Sequence, residues 1–219
     1  MKIQAVLFDF IGTTVLEKDD VINRAFENAF RQADVQIDFE ILNRNRGKDK
    51  HEIIDLILGE GYSSKAILSK KIYQAFQTNV EKSLSEFSLN SGVLEVLEHL
   101  KIKNIKVGLG SALTRDLFEK IFDRLSCHKN SFQYIGIASE VGRSRPHPDM
   151  IFDMMKWVNV YDVNEFLKVG DTTTDILEGK NANVKTAAIL SGTQSEELLR
   201  NAQPDFMLNN LKELIDIIG

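Results

Sequence analysis

A single cysteine, Cys127, among 219 residues excludes an internal disulfide and suits a reducing compartment, so the chain is expected to be cytoplasmic. Cys127 stands in a polar Cys-His-Lys run without a motif around it, and it reads as inert rather than as a catalytic thiol. No apolar run is long enough to span a bilayer. The apolar start MKIQAVLFDF is interrupted by Asp9 and no small-residue cleavage site follows, which makes it a strand rather than a signal peptide. The formal charge of −5 argues against general affinity for nucleic acid. Internal repeats and low-complexity tracts are also missing. What is left is a chain long enough for a full core plus a sizeable insertion. Neither a membrane nor a nucleic acid is expected as its partner, and monomer and homodimer stay open.

Strand-like runs occur at 3–9, 105–110, 134–138, 166–170, 185–190 and, more weakly, 205–208. From 92 onward they alternate with amphipathic stretches at 92–103, 115–125, 149–158, 174–182 and 195–201, with a last helix at 210–218. Such alternation predicts an α/β fold with a doubly wound parallel sheet. Between about 16 and 88 the pattern changes. No convincing strand is found there, whereas Ile22, Phe26 and Phe30, and again Ile53, Ile54 and Ile57, recur at helical spacing, and a long helix is expected from Ser64 to about Leu84. The expectation is an all-helical cap domain, 16–88, inserted into a Rossmann-like core formed by 1–15 and 89–219, with Asn90-Ser91-Gly92 marking the return to the sheet.

Two strings at opposite ends carry the chemistry: FDFIGTT at 8–14 and KVGDTTTD at 168–175. In each, a near-continuous apolar run ends at an aspartate, Asp9 or Asp171, with Gly and Thr beside it. Apolar strands of this kind belong to parallel sheets covered on both faces, where ligands bind beyond the carboxyl ends. Two carboxylates delivered there from separate strands can hold one hard divalent cation, expected to be Mg²⁺.

The motifs Asp9-Phe10-Ile11-Gly12-Thr13-Thr14, Ser111 ending IKVGLGS, Arg145 in SRPHP, and Gly170-Asp171-Thr172 with Asp175 resemble, in order, the four motifs of the haloacid dehalogenase superfamily. The resemblance spans nearly the whole chain. It implies that Asp9 is a nucleophile forming an aspartyl-phosphate. It implies Mg²⁺ bridging Asp9, Asp171 and the substrate, with the carbonyl of Ile11 as a further ligand and Asp175 as a second carboxylate or an orienter of waters. Ser111 is then a hydroxyl donor to a phosphoryl oxygen, Arg145 a fixed positive charge, and Gly12, Thr13 and Ala112 further substrate contacts. The bland readings are a turn or helix cap for Asp171 and a surface position for Arg145. Ser111 and Thr114 both suit a helix cap, and Thr114 is read as that alone. His147, between two prolines, reads as loop. Gly108 and Gly110 look like the start of a dinucleotide fingerprint, but Leu113 occupies the third glycine position and excludes it.

The informative departure is Ile11. Phosphatases of the superfamily usually carry an aspartate there as general acid, a contribution of roughly 10²–10⁴-fold. The haloacid dehalogenases also lack that acid, but they need no metal and would not keep the acidic GDT motif. The GTTV context, VGDTTTDILEGKNAN, the following ILSGT and GKDKHEII resemble phosphonoacetaldehyde hydrolase and phosphonatase-like relatives. In those enzymes the lysine matching Lys50 forms a Schiff base with the substrate aldehyde. Helical spacing aligns Lys48 with Glu52 and Asp55 on a charged face. It sets Lys50 with Ile54 and Ile57 on the apolar one, which turns Lys50 toward the domain interface. The alternative is a lysine snorkelling from an apolar face. The family's histidine three residues after the lysine is Ile53 here, its motif-two tyrosine is Leu113 and its methionine is Arg46. The expected activity is therefore that of a phosphonatase-like hydrolase acting on a small phosphonylated or phosphorylated metabolite. A phosphate-monoester phosphatase, with His51 as substrate contact and acid, and a non-catalytic protein that binds phosphate or a partner are the rivals.

Overall fold

The computed structural model describes residues 2–62, 64–125 and 129–219; Cys127 lies outside the described residues. Strand β1 (Ala5–Asp9) is buried along its whole length and leads through a tight turn into the short strand β2 (Val15–Glu17). Helices α1 (Val21–Gln32), α2 (Phe39–Arg44), α3 (Lys50–Leu58) and α4 (Lys65–Lys82) follow, and strand β3 (Phe87–Leu89) returns. It pairs antiparallel with β2, Val15 opposite Leu89 and Glu17 opposite Phe87. The chain then alternates through α5 (Val93–Ile102), β4 (Lys106–Ser111), α6 (Arg115–Arg124), β5 (Tyr134–Ile137), α7 (Asp149–Val158) and β6 (Phe166–Gly170). It closes with α8 (Thr173–Asn181), β7 (Lys185–Ile189), α9 (Glu196–Asn201), β8 (Phe206–Leu208) and α10 (Glu213–Ile218).

Among the described residues β5, β4, β1, β6, β7 and β8 lie in that order in one sheet, and every pairing is parallel. From the central β1 the chain moves outward through β4 and β5, then crosses to the other side for β6, β7 and β8. The direction reverses beside β1, where an open parallel sheet leaves a crevice at its carboxyl edge. Register brings the motifs to that edge: Asp9 lies opposite Gly110, one residue before Ser111, and Phe8 opposite Val169, two residues before Asp171.

The inserted helices bury stripes at helical spacing: Ile22, Ala25, Phe26, Ala29 and Phe30 on α1, and Ile72, Tyr73, Phe76 and Val80 on α4. These faces meet at Phe26 and Phe76, whose ring centroids are 4.4 Å apart. The expectation of no strand between 16 and 88 needs correction, because β2 runs to Glu17 and β3 begins at Phe87. Three-residue strands are too short for an alternating pattern, and they pair with each other across about seventy residues. The helix expected from Ser64 to Leu84 is observed as α4.

Behind β1, Phe10 packs on α6, with its ring 4.6 Å from Phe118, which in turn lies 5.2 Å from Phe122. Phe118 is 1 % exposed. Phe118→Ala leaves a cavity directly beneath the turn after Asp9 and is expected to cost about 3–5 kcal/mol. Denaturant unfolding measures it, and a loss below about 1 kcal/mol would show that this aromatic layer does not anchor the site.

Candidate active site

Asp9, Asp171 and Asp175 converge beyond the carboxyl ends of β1 and β6, each offering a carboxylate oxygen within 4.8 Å of the others. All three are buried. Arg145, in the loop between β5 and α7 and 2 % exposed, bridges two of them: its Nη1 donates to Asp9 Oδ1 at 2.6 Å and to Asp175 Oδ1 at 2.5 Å. The Arg145 loop is fixed by Arg143, which pairs with Asp149, and by Asn181, whose Nδ2 donates to the Pro146 carbonyl.

The turn after Asp9 has little freedom. Thr14 donates its hydroxyl to the Asp9 carbonyl at 2.8 Å, and Asn90 Nδ2 donates to the Thr13 carbonyl at 2.8 Å. Gly12 has φ +94°, and a Cβ there would stand 2.1 Å from Asp171 Oδ2. Glycine is thus required both for the left-handed backbone and for the close approach of the second carboxylate. Thr13 Oγ1 donates to Asp171 Oδ1 at 3.0 Å, while Thr193 donates to Oδ2 from its backbone at 2.8 Å and from its hydroxyl at 2.5 Å.

Asp175 is engaged differently. Thr172 donates to its Oδ2 from both backbone and hydroxyl, closing a capping box at the start of α8. Its Oδ1 faces Arg145 and also Lys168 Nζ at 3.0 Å, and that lysine stands 3.0 Å from Glu178 as well. Both oxygens of Asp175 are therefore occupied by protein donors. Asp175 thus accepts two contacts at each oxygen, whereas Asp171 accepts one at Oδ1 and two at Oδ2 and no hydrogen bond to Asp9 Oδ2 is found among the described residues; Asp9 and Asp171 retain lone pairs for a cation.

Charge state follows from these surroundings. Burial, then the neighbouring Asp175, pushes Asp9 above the usual carboxylate range against the opposing pull of Arg145. Burial and the charges of Asp9 and Asp175 push Asp171 up to about 7. Asp175 goes the other way: burial works to raise it, but Lys168 and Arg145 together hold it at about 2. Two buried carboxyls that resist ionisation beside each other form a site that a hard divalent cation would relieve, and oxygen is the donor such a cation takes.

Residues of the helical insertion complete the pocket. Asp49 caps α3, accepting from His51 N at 2.8 Å and Glu52 N at 3.3 Å, so Lys50 is the first helical residue and Lys48 lies outside the helix. Lys48 is ion-paired with Glu52 at 2.8 Å. Lys50 is buried, its Nζ donates to the Lys48 carbonyl at 3.2 Å, and it lines one pocket with Asp9, Ile11, Ser111, Ala112 and Arg145. Burial foremost, and the Arg145 charge next, lower its pKa to about 8. Ser111 Oγ accepts from Leu113 N at 3.1 Å, which leaves its proton free to donate. Thr114 caps α6 as expected, accepting from Leu117 N. His147 is exposed in its loop.

His51 is not brought to this pocket. It is exposed, and its ring stacks on Tyr73 with centroids 3.5 Å apart. Conversely, Glu17, Arg46 and Thr193 belong to the site without having been expected there. Thr193 was legible in principle, since Ser191-Gly192-Thr193 repeats the pattern of a strand end followed by Gly-Thr. Glu17 and Arg46 carried no such signal.

An open parallel sheet with paired aspartates at the switch crevice and a lysine-bearing helical insertion defines a cation-competent hydrolytic centre. The chain matches the family model for haloacid dehalogenase-like hydrolases over residues 6–189, and it belongs to that family; it is an enzyme of the hydrolase class. It is 27 % identical to the phosphonoacetaldehyde hydrolase of Bacillus cytotoxicus, with 100 % of this chain and 87 % of the relative covered. Its fold is similar to the phosphonoacetaldehyde hydrolase-like protein of Oleispira antarctica (TM-score 0.85, 21 % identity, 100 % and 93 % covered). A hydrolase from Pseudomonas syringae shares it too (TM-score 0.86, 18 % identity, 99 % and 100 % covered).

The raised carboxyls set a pH dependence. A group held above its unfolded pKa contributes stability below that unfolded value, and the contribution is lost as pH rises through the folded one. For Asp171 the window runs from about 3.8 to about 7, with Asp9 acting in the same direction. Asp175 and Lys50, at about 2 and about 8, shift stability mainly outside that window. The metal-free protein is therefore expected to lose thermal stability between pH 5 and about 7, and an added divalent cation should restore more of it at the upper end. A melting temperature that rises across this range without metal would contradict the placement of these charges.

Proposed function

We propose that the chain is a magnesium-dependent, phosphonatase-like hydrolase that cleaves the carbon–phosphorus bond of a small carbonyl phosphonate through an aspartyl-phosphate on Asp9 and an imine on Lys50. The observation that carries this reading is the burial of Lys50 in the same pocket as Asp9. With a pKa of about 8, about a tenth of Lys50 is neutral at pH 7, whereas an ordinary lysine is almost wholly charged. Only the neutral amine adds to a carbonyl. The similarity to phosphonoacetaldehyde hydrolases supports the same chemistry.

In this reading Asp9 attacks phosphorus from its free oxygen while Arg145 holds the other. Ser111 and Ala112, with the Gly12–Thr13 turn, bind the phosphoryl oxygens. Asp9, Asp171 and the Ile11 carbonyl would hold Mg²⁺, which supplies positive charge against the repulsion between nucleophile and phosphoryl group. Asp175, its oxygens already occupied, serves to orient Arg145. Residues 16–88 are the cap over a core of 1–15 and 89–219, and Lys50 is the group by which the cap takes part in the chemistry.

A carbon–phosphorus bond breaks heterolytically only if the departing carbon can delocalise its electron pair, and an iminium on the neighbouring carbon accepts that pair as an enamine. Isoleucine at position 11 suits such a leaving group, which needs no proton at the breaking bond. The ester reading has lost its expected donor, since His51 lies outside the pocket. Phosphonoacetaldehyde with borohydride is expected to tether its carbon skeleton to Lys50, and Lys50→Arg should abolish turnover although the charge is kept. Full activity of Lys50→Arg on the best substrate of a phosphonate and phosphate-ester panel would replace the imine by ester or anhydride hydrolysis.

A further inference from the structure

Imine chemistry needs a proton carrier that none of the groups assigned so far provides. When an amine adds to a carbonyl, the carbinolamine must expel its oxygen as water, and hydroxide leaves poorly without a proton. One turn past Lys50 the residue is Ile53, apolar and buried; His51 is exposed on the far side, against Tyr73. Ser111 and Thr193 bind neighbouring groups and are too weakly acidic to serve.

Among the described residues that line the pocket, the carboxyls are Asp9 and Glu17. Asp9 is the proposed nucleophile. Glu17 ends β2 where the chain passes from sheet to insertion, and its side chain is 5 % exposed. Its Oε2 accepts from Ile22 N at 2.6 Å, while its Oε1 stands 3.5 Å from Arg46 Nη2. That guanidinium is committed elsewhere, at 2.5 Å to Asp20 and 2.9 Å to Asn23. Burial raises the Glu17 pKa, against the opposing charges of Arg46 and Lys50 and the Ile22 hydrogen bond, and with Asp20 adding to the rise. The carboxyl can therefore carry a proton at a pH where a surface glutamate could not, and it does so within electrostatic reach of Lys50.

We propose that Glu17 is the general acid–base of the imine cycle on Lys50, delivering the proton that expels water from the carbinolamine and recovering one when the product imine is hydrolysed. This rests on the imine reading of the site. The Lys50 nitrogen bonds to the carbonyl carbon and its proton moves to the carbonyl oxygen. Glu17 then protonates that hydroxyl, the carbon–oxygen bond breaks with its pair on oxygen, and water leaves an iminium and a Glu17 carboxylate. The carbon–phosphorus bond breaks into the iminium as phosphorus passes to Asp9. The enamine carbon takes up a proton equivalent to the one released when water opens the aspartyl-phosphate. Water adds to the resulting iminium, Glu17 takes the proton set free, and the carbonyl product departs from a neutral Lys50.

The test follows Lys50 tethering by phosphonoacetaldehyde and cyanoborohydride, together with steady-state turnover, in the full-length wild type, Glu17→Gln and Glu17→Ala. Glutamine keeps an oxygen for Ile22 N but has no proton to give. Both variants are expected to slow tethering and turnover by about 100-fold or more, with Glu17→Ala partly restored by acetate in proportion to the acetic acid present. A fault of folding or of cap position would not respond to acetate. Wild-type tethering that persists at full rate in Glu17→Gln would overturn the role of Glu17 while leaving the imine intact. Absence of tethering in the wild type would overturn the imine reading, and this role with it.

Discussion

Placing three buried carboxylates together at the carboxyl edge of the sheet is the constraint around which the rest of the structure is arranged. Two like charges about 5 Å apart repel by about 3 kcal/mol at an effective dielectric constant near 20, and Asp9, Asp171 and Asp175 each offer an oxygen within 4.8 Å of the other two. Arg145 answers part of this from the β5–α7 loop and Lys168 from inside β6. Asp175 accepts the cations and the Thr172 donors and stays charged. For Asp9 and Asp171 burial and the neighbouring carboxylates outweigh the partners they have, and both are pushed up. That asymmetry separates the carboxylate that organises the site from the two that keep lone pairs for a cation.

The same economy governs the cap. The end of α2 and the loop between α2 and α3 are held to the core by main-chain groups: Thr174 donates to the Arg46 carbonyl at 2.7 Å, Gln194 to the Asn43 carbonyl at 2.8 Å, and Asp49 N to Ser144 Oγ at 3.0 Å. Each bond is worth about 0.5–1.5 kcal/mol net, and together they seat the start of α3, and with it Lys50, against the core. Ser144 precedes Arg145 and Thr174 precedes Asp175. The residues that hold the helical insertion therefore adjoin Arg145 and Asp175, and the seating of the insertion and the charge arrangement share one scaffold.

Much of this was legible because it is written in local patterns. Buried parallel strands appear as apolar runs, amphipathic helices as spaced Ile and Phe, and Asp9 and Asp171 as the points where apolar runs stop at a charge. Lys50 was readable as the lysine aligned with Ile54 and Ile57, although α3 begins at that residue and Lys48 was never on the helix. What escaped depends on distant partners. Strands β2 and β3 pair across about seventy residues, Glu17 lines the pocket from the end of β2, and Arg46 is held by Asp20 and Asn23. His51 failed for a related reason: adjacency to Lys50 in sequence puts it about 100° away around the helix, where Tyr73 claims it.

The claim on which everything else rests is that phosphorus passes to Asp9. Acid quench during turnover of phosphonoacetaldehyde, followed by mass spectrometry of the peptide containing Asp9, tests it most directly. The account predicts a phosphoryl group on Asp9 that depends on an added divalent cation and is absent in Asp9→Asn. Turnover by the wild type that continues in Asp9→Asn, or that proceeds with chelator present and no phosphoryl group on Asp9, would contradict it.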